Sequence, residues 1–160
     1  MTVAEIFREV NLSPRDPVRW GTQMSEPRPG VYVVARVGDS TVGCKACDLR
    51  FKDPLPPVRD LKYEQQRWLP NEPALYIGQT TRALGKRIRQ FYGHKVGEKG
   101  PHAGGQVVKL LGCELWVYWS PTTHPKKYEK AMISAFEKRM GKLPFANGEH
   151  GKSKRIRHSN

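Results

Sequence analysis

The chain has 160 residues, enough for one hydrophobic core and too few for two full domains. Lys and Arg total 28 against 15 Asp and Glu, a formal charge of +13 that points to a polyanionic partner. No apolar run approaches the roughly 18 residues of a membrane span, and four Trp, six Tyr and five Phe argue against a wholly disordered chain.

In chain order, residues 3–10 predict a short amphipathic helix in an N-terminal extension, 1–29, that Pro14, Pro17, Pro27 and Pro29 punctuate. The opening stretch has no signal-peptide core, so the expectation is an intracellular, cytoplasmic protein with no membrane partner. The three cysteines, Cys44, Cys47 and Cys113, fit reduced thiols better than a disulfide framework. Residues 31–37, β-branched and aromatic after Gly30, predict a buried strand. Residues 38–73 hold five prolines and read as an insertion with a short helix near 59–68. Residues 74–78 predict a second strand. Residues 82–92 predict a basic helix with Thr80 or Thr81 as its N-cap. A glycine-rich loop, a short helix over 106–111 and a strand over 114–119 follow. Pro125 in a first turn and Gly141 as a stop predict a helix over 125–140. The tail, 148–160, is polar and basic. The sum is a small α/β domain over 30–147.

In the helix over 125–140, Tyr128, Ala131, Met132, Ile133, Ala135, Phe136 and Met140 share one arc at about 100° per residue. Glu129 falls inside that arc. An unpaired carboxylate there costs several kcal/mol or shifts its pKa, so Glu129 needs a cation, a donor set or a metal. A rotated helix, with Glu129 paired at the core's rim, is the alternative. Arg139 shares the arc, in the last turn where its stem can reach water.

Five elements in order resemble the GIY-YIG nuclease family: Gly30-Val31-Tyr32, Tyr76-Ile77-Gly78, Leu84-x-x-Arg87, Glu129-x-x-Met132-Ile133 and the closing Leu143-Pro144-Phe145-Ala146-Asn147. Pro101-His102-Ala103-Gly104-Gly105 is similar to a stretch of small stand-alone bacterial members. The resemblance implies a three-stranded antiparallel sheet flanked by helices, with 38–73 inserted between the first two motif strands. It also implies cleavage of DNA phosphodiesters with Mg²⁺ or Mn²⁺. Carried over residue by residue, it implies catalytic roles for Tyr32, Tyr76, Arg87, Glu129 and Asn147, with Glu129 as metal ligand. The family often has Tyr or His four residues after the Arg. Phe91 stands there, so Tyr92 is the expected replacement and His94 the runner-up. Gln79 stands where some branches carry Lys.

These residue types suit the chemistry. A divalent ion polarises phosphoryl oxygens and binds through one or two carboxylates plus phosphate and water. An arginine holds a phosphate through paired N–H donors. A tyrosine in a cationic pocket is expected to lose its proton more easily and assist water attack, with Tyr32 and Tyr76 both open for that role. Asn147 either positions Glu129 or substrate, or is a turn residue before Gly148. Arg82, Lys86, Arg87, Arg89 and Lys95 form a stretch without acid that suits DNA, and His94 and His102 are further phosphate candidates. Phe91 and Tyr92 could stack near a base. Cys44-x-x-Cys47 has zinc-like spacing but no second pair, and plain thiols are the simpler reading. A catalytically silent nucleic-acid-binding module on the same fold is the alternative function. The completeness of the motif set favours the enzyme.

Overall fold

The structure, a computed structural model, describes residues 1–38, 48–53, 62–98, 100 and 103–148. Cys44, Cys47, His102 and the tail from 149 onward lie outside the described residues.

The organising element is strand β2, Gly30–Ala35, buried along its whole length. A strand apolar at every position has no solvent face and belongs at the centre of a sheet covered on both sides. It pairs antiparallel with β3, Ala74–Thr80, on one side and with β4, Trp116–Pro121, on the other. A two-residue strand, β1, Val18–Arg19, adds to the far edge of β4, giving the order β1-β4-β2-β3. The sheet is therefore four-stranded, not three-stranded as expected. Two residues directly after Pro17 are too few to show an alternation in sequence.

One face of the sheet carries Tyr32, Val34 and Val117. It packs on Leu84, Ile88 and Phe91 of α3, Leu84–Gly93, and on Val107 and Val108 of a 3₁₀ helix, Ala103–Leu110. The other face carries Val31, Val33, Ile77 and Tyr118. It packs on Val3, Ile6 and Phe7 of α1, Val3–Arg8, and on Met132 and Phe136 of the C-terminal helix, Pro125–Met140. The first residues, read from sequence as an extension, are thus part of the core. Inside the insertion lies α2, Lys62–Arg67, and the C-terminal helix is α4 in chain order.

Between β2 and β3 the register shifts. Val34 faces Tyr76 and Ala35 faces Ala74, so Leu75 is an extra residue on β3. This bulge lets Leu75 and Tyr76 both join the α3 side while Ala74 and Ile77 join the α4 side. Helix α3 starts at Leu84, two residues later than expected. Its N-cap is Ala83, with no side-chain cap. The Leu84 and Gly85 amides instead donate to the Arg28 and Glu26 carbonyls, both at 2.9 Å. Helix α4 matches its expected range, with Pro125 in the first turn and Gly141 left-handed at φ 73°. Ala131, placed on its apolar arc by periodicity, is exposed. Among the described residues no helix is long and apolar enough to cross a membrane.

Candidate active site

Tyr32 and Gly78 face each other across β2 and β3, and that pairing is what makes room for two phenols. A Cβ on Gly78 would stand 2.5 Å from Tyr32 Cζ and 2.8 Å from Tyr76 Cε1. With no side chain there, the Tyr32 and Tyr76 rings lie 6.0 Å apart, tilted at 55°. Phe91 closes the cluster from α3, its ring 6.4 Å from Tyr32 and 5.5 Å from Tyr76. Gly105 of the 3₁₀ helix closes it from the other side, where a Cβ would meet Phe91 at 2.8 Å and Tyr76 at 3.1 Å.

Arg87 reaches this cluster because Leu84, one turn earlier, is fully buried and fixes the helix's rotation. Its guanidinium acts electrostatically on Tyr32, Tyr76 and Glu129 alike, so the four groups share one site. Glu129 enters from α4. Burial pushes its carboxyl up to about 7, although Arg87 pulls it down. It makes no hydrogen bond or ion pair with any described residue. Arg139, the other charge on the arc, pairs with Glu5 at 3.0 Å.

The phenols do not behave as expected. Burial raises both, and for Tyr32 it outweighs the Arg87 charge that opposes it. Tyr76 lies well above its ordinary range, through burial first and then its neighbours Tyr32 and Glu129. Desolvation wins because Tyr32 is only 1 % exposed. Its hydroxyl oxygen is sealed from solvent and completes no hydrogen bond of normal geometry.

Two expected site residues turn to other partners. Tyr92 packs edge-on against Trp20, with ring centroids 4.8 Å apart. Its hydroxyl lies beside the Gly21 backbone, and burial pushes it up to about 12. Phe91 takes the inward position because it follows Arg87 by four residues on the helix face that meets the sheet. Asn147 does not act on Glu129. Its Oδ1 accepts from the Ile77 amide at 2.9 Å and its Nδ2 donates to the Ile77 carbonyl at 2.8 Å. With Ala146 N–H donating to Leu75 O at 2.7 Å, the closing segment covers the open edge of β3 beside Tyr76.

Next to the cluster runs an open groove of about 720 Å³, lined by Gln79 and Thr80 to Arg82 from the end of β3, Lys86, Arg87 and Gln90 from α3, and His94 beyond it. Arg82, Lys86, Arg87 and His94, all phosphate candidates, therefore meet there. Arg89 is exposed on the same helix but does not line the groove. Two residues were not legible in sequence. Gln106 ties His94 to the 3₁₀ helix. Lys109 donates to the Tyr92 and His94 carbonyls and holds the end of α3.

The donor set suits a hard divalent ion. Glu129 is a half-buried carboxylate that makes no hydrogen bond or close ion pair with the described residues, and the charge of Arg87 acts on it. Among those residues no group of three or more His, Cys, Asp and Glu forms a closed metal site. A bound ion would accordingly depend on substrate and water for its remaining ligands. No protein-family model, curated protein or solved structure matches the chain.

Proposed function

We propose that the chain is a divalent-metal-dependent DNA endonuclease of the GIY-YIG type. The observation that carries this is the convergence of Tyr32, Tyr76, Arg87 and Glu129, from four separate elements, on one site beside a cationic groove. Such convergence is costly: it places a carboxylate and two phenols where burial disfavours their charged forms.

In this reading the duplex backbone follows Arg82 and Lys86 into the groove. Arg87 holds the scissile phosphate with its fork of N–H donors. Mg²⁺ or Mn²⁺ held by Glu129 would polarise the phosphoryl oxygen and stabilise the leaving oxygen. Both phenols are protonated in the free protein, so they assist by orientation. A phenolic oxygen accepts a hydrogen bond from the attacking water; as the water oxygen bonds to phosphorus and the P–O bond to the leaving oxygen breaks, the water's proton passes to a non-bridging phosphate oxygen and a proton reaches the leaving oxygen from solvent. Gly78 and Gly105 keep the rings in place, and Asn147 holds the strand that carries Tyr76.

The near-complete burial of Tyr32 favours one competing reading, a DNA-binding module without catalysis. Plasmid nicking with Mg²⁺ or Mn²⁺, with and without chelator, separates the two. Metal-dependent nicking that Glu129→Gln abolishes supports the nuclease. DNA binding without nicking under any of these conditions supports the silent module.

A further inference from the structure

His94 lines the groove beside Arg87, yet its ring is already engaged from behind. The Gln106 amide has a fixed orientation. Gly97 N–H donates to its Oε1 at 2.7 Å, and its Nε2 donates to the Glu98 carbonyl at 2.8 Å. In the tautomer whose proton sits on Nδ1, His94 Nε2, 2.8 Å away, accepts the second hydrogen of Gln106 Nε2. The same His94 Nε2 is 3.1 Å from the Glu98 carbonyl oxygen, a place where a lone pair is repelled and an N–H is satisfied. Protonating Nε2 would exchange the Gln106 bond for one to Glu98. The two arrangements exclude each other.

Among the described residues, the charges around the ring are divided. Glu98 Oε2 lies 3.9 Å from Nδ1 and favours the imidazolium. Its carboxylate is held in place by the Lys95 amide at 3.2 Å. Against it stand the Lys109 ammonium on His94's own carbonyl and Arg82, Lys86 and Arg87 along the groove. A polyanion in the groove neutralises that opposition.

We propose that phosphate binding in this groove is coupled to proton uptake at His94, which exchanges its bond from Gln106 for one to the Glu98 carbonyl as the anion arrives. The inference rests on the reading of the groove as a phosphate site. Gln106 follows Gly105, which packs directly on Tyr76, so the exchange acts on the residue next to the tyrosine cluster.

The test is a titration of the histidine ring resonances of the labelled full chain in EDTA: free, with a short duplex DNA, and with inorganic tripolyphosphate. His94 is identified by through-bond correlation and by its loss in His94→Asn. Either probe should raise the His94 midpoint by about one pH unit. Affinity should then weaken by about tenfold in all as the pH rises through the window between the free and the bound midpoints, and this dependence should flatten in His94→Asn. Gln106→Ala, which removes the bond favouring the neutral ring, should raise the midpoint of the free protein and shrink the rise on binding. A duplex that binds with the His94 midpoint unmoved overturns the coupling and leaves the groove a phosphate site. A midpoint indifferent to Gln106→Ala also overturns it. Failure of both probes to bind overturns the groove reading and this inference together. A shift with tripolyphosphate when the duplex does not bind supports the coupling and counts against duplex DNA as the ligand. If His94→Asn fails to fold, the wild-type titration still decides.

Discussion

Leu84 of α3 occupies the space that a side chain on Gly30 would need: a Cβ there would lie 2.5 Å from Leu84 Cδ1 and closer still to the Ser120 carbonyl. The first strand motif and the helix motif are therefore one packing unit, and it sets the rotation that brings Arg87 to the tyrosines. Gly30→Ala should destabilise the protein by about 2 kcal/mol or more, as overpacking of a full core does. Adding Leu84→Ala should recover none of this, because the Ser120 carbonyl is backbone and cannot give way and the second change adds a cavity. Urea unfolding of the single and double variants checks it.

The same contact shows where the sequence was readable. Helix α4 was legible to the residue because its limits are local, Pro125 at the start and Gly141 at the end. Helix α3 was misplaced by two residues because its first amides are capped by carbonyls of Glu26 and Arg28, more than fifty positions earlier in the chain, and no local pattern encodes such a cap. The bulge at Leu75 has the same character, since it exists only in the pairing of two strands. At the site, the motif residues Tyr32, Tyr76, Arg87 and Glu129 were legible by type and order. What they experience was not. Whether a phenol near an arginine is acidified or suppressed depends on how completely it is buried, and the 1 % exposure of Tyr32 decides for suppression. The role of Asn147 was hidden likewise, because both of its amide partners belong to Ile77, far away in sequence.

Asn147 supplies the missing neighbour of an edge strand, and its replacement leaves two buried backbone groups of Ile77 unpaired. Asn147→Leu should cost about 2–6 kcal/mol, at roughly 1–3 kcal/mol for each of the two orphaned groups. Asn147→Asp restores the acceptor but sets an oxygen against the Ile77 carbonyl, so it should be no better at neutral pH. Thermal unfolding of the two variants, with amide exchange at Ile77, measures this. Retention of Ile77 protection in Asn147→Leu would contradict the edge-covering role.

Glu129 makes stability depend on pH in a defined direction. Its folded carboxyl titrates at about 7, above the ordinary 4.5, so the native state binds the proton more tightly than the unfolded chain. This contribution is full below about pH 4.5 and is lost as the pH rises through about 7. Glu129→Gln should therefore be more stable than the wild type at pH 8, by on the order of 2 kcal/mol after allowance for solvent at the half-buried site, and equal to it near pH 4. The same variant should lose metal-dependent cleavage while keeping DNA affinity. Stability profiles from pH 4 to 8 that run parallel would remove the argument.

Arg87 and Arg89 separate positioning from general attraction. Arg87 lies against the tyrosines and Glu129, whereas Arg89 is exposed and outside the groove. Arg87→Lys keeps the charge but loses the fork of donors, and cleavage at saturating DNA should fall by roughly 10²-fold or more. Arg89→Ala should leave the saturated rate within about twofold and lower only the salt dependence of binding, by about 0.9 in the log–log slope if one phosphate contact is lost. A dead Arg89→Ala with an active Arg87→Lys would mean that the opposite face of α3 carries the chemistry.

The Tyr32 hydroxyl offers a test in which stability and activity move in opposite directions. It is sealed from solvent, and Arg87 and Tyr76 approach it without completing a hydrogen bond of normal geometry, so it is a cost to the folded protein of up to about 1–3 kcal/mol. Removing it while keeping the ring preserves the packing against Tyr76 and Phe91. Tyr32→Phe should thus be as stable as the wild type or more so. A residue kept only for its ring gains nothing from that oxygen. If the hydroxyl orients the attacking water, Tyr32→Phe should lose cleavage by roughly 10²-fold, within the range for a positioned proton-transfer group, with DNA affinity unchanged. Tyr76→Phe provides the comparison, since its hydroxyl faces the same site from β3. Unfolding curves and single-turnover nicking on both variants give the answer. A Tyr32→Phe protein that is more stable and cleaves at the wild-type rate would move the water-orienting role to Tyr76 alone.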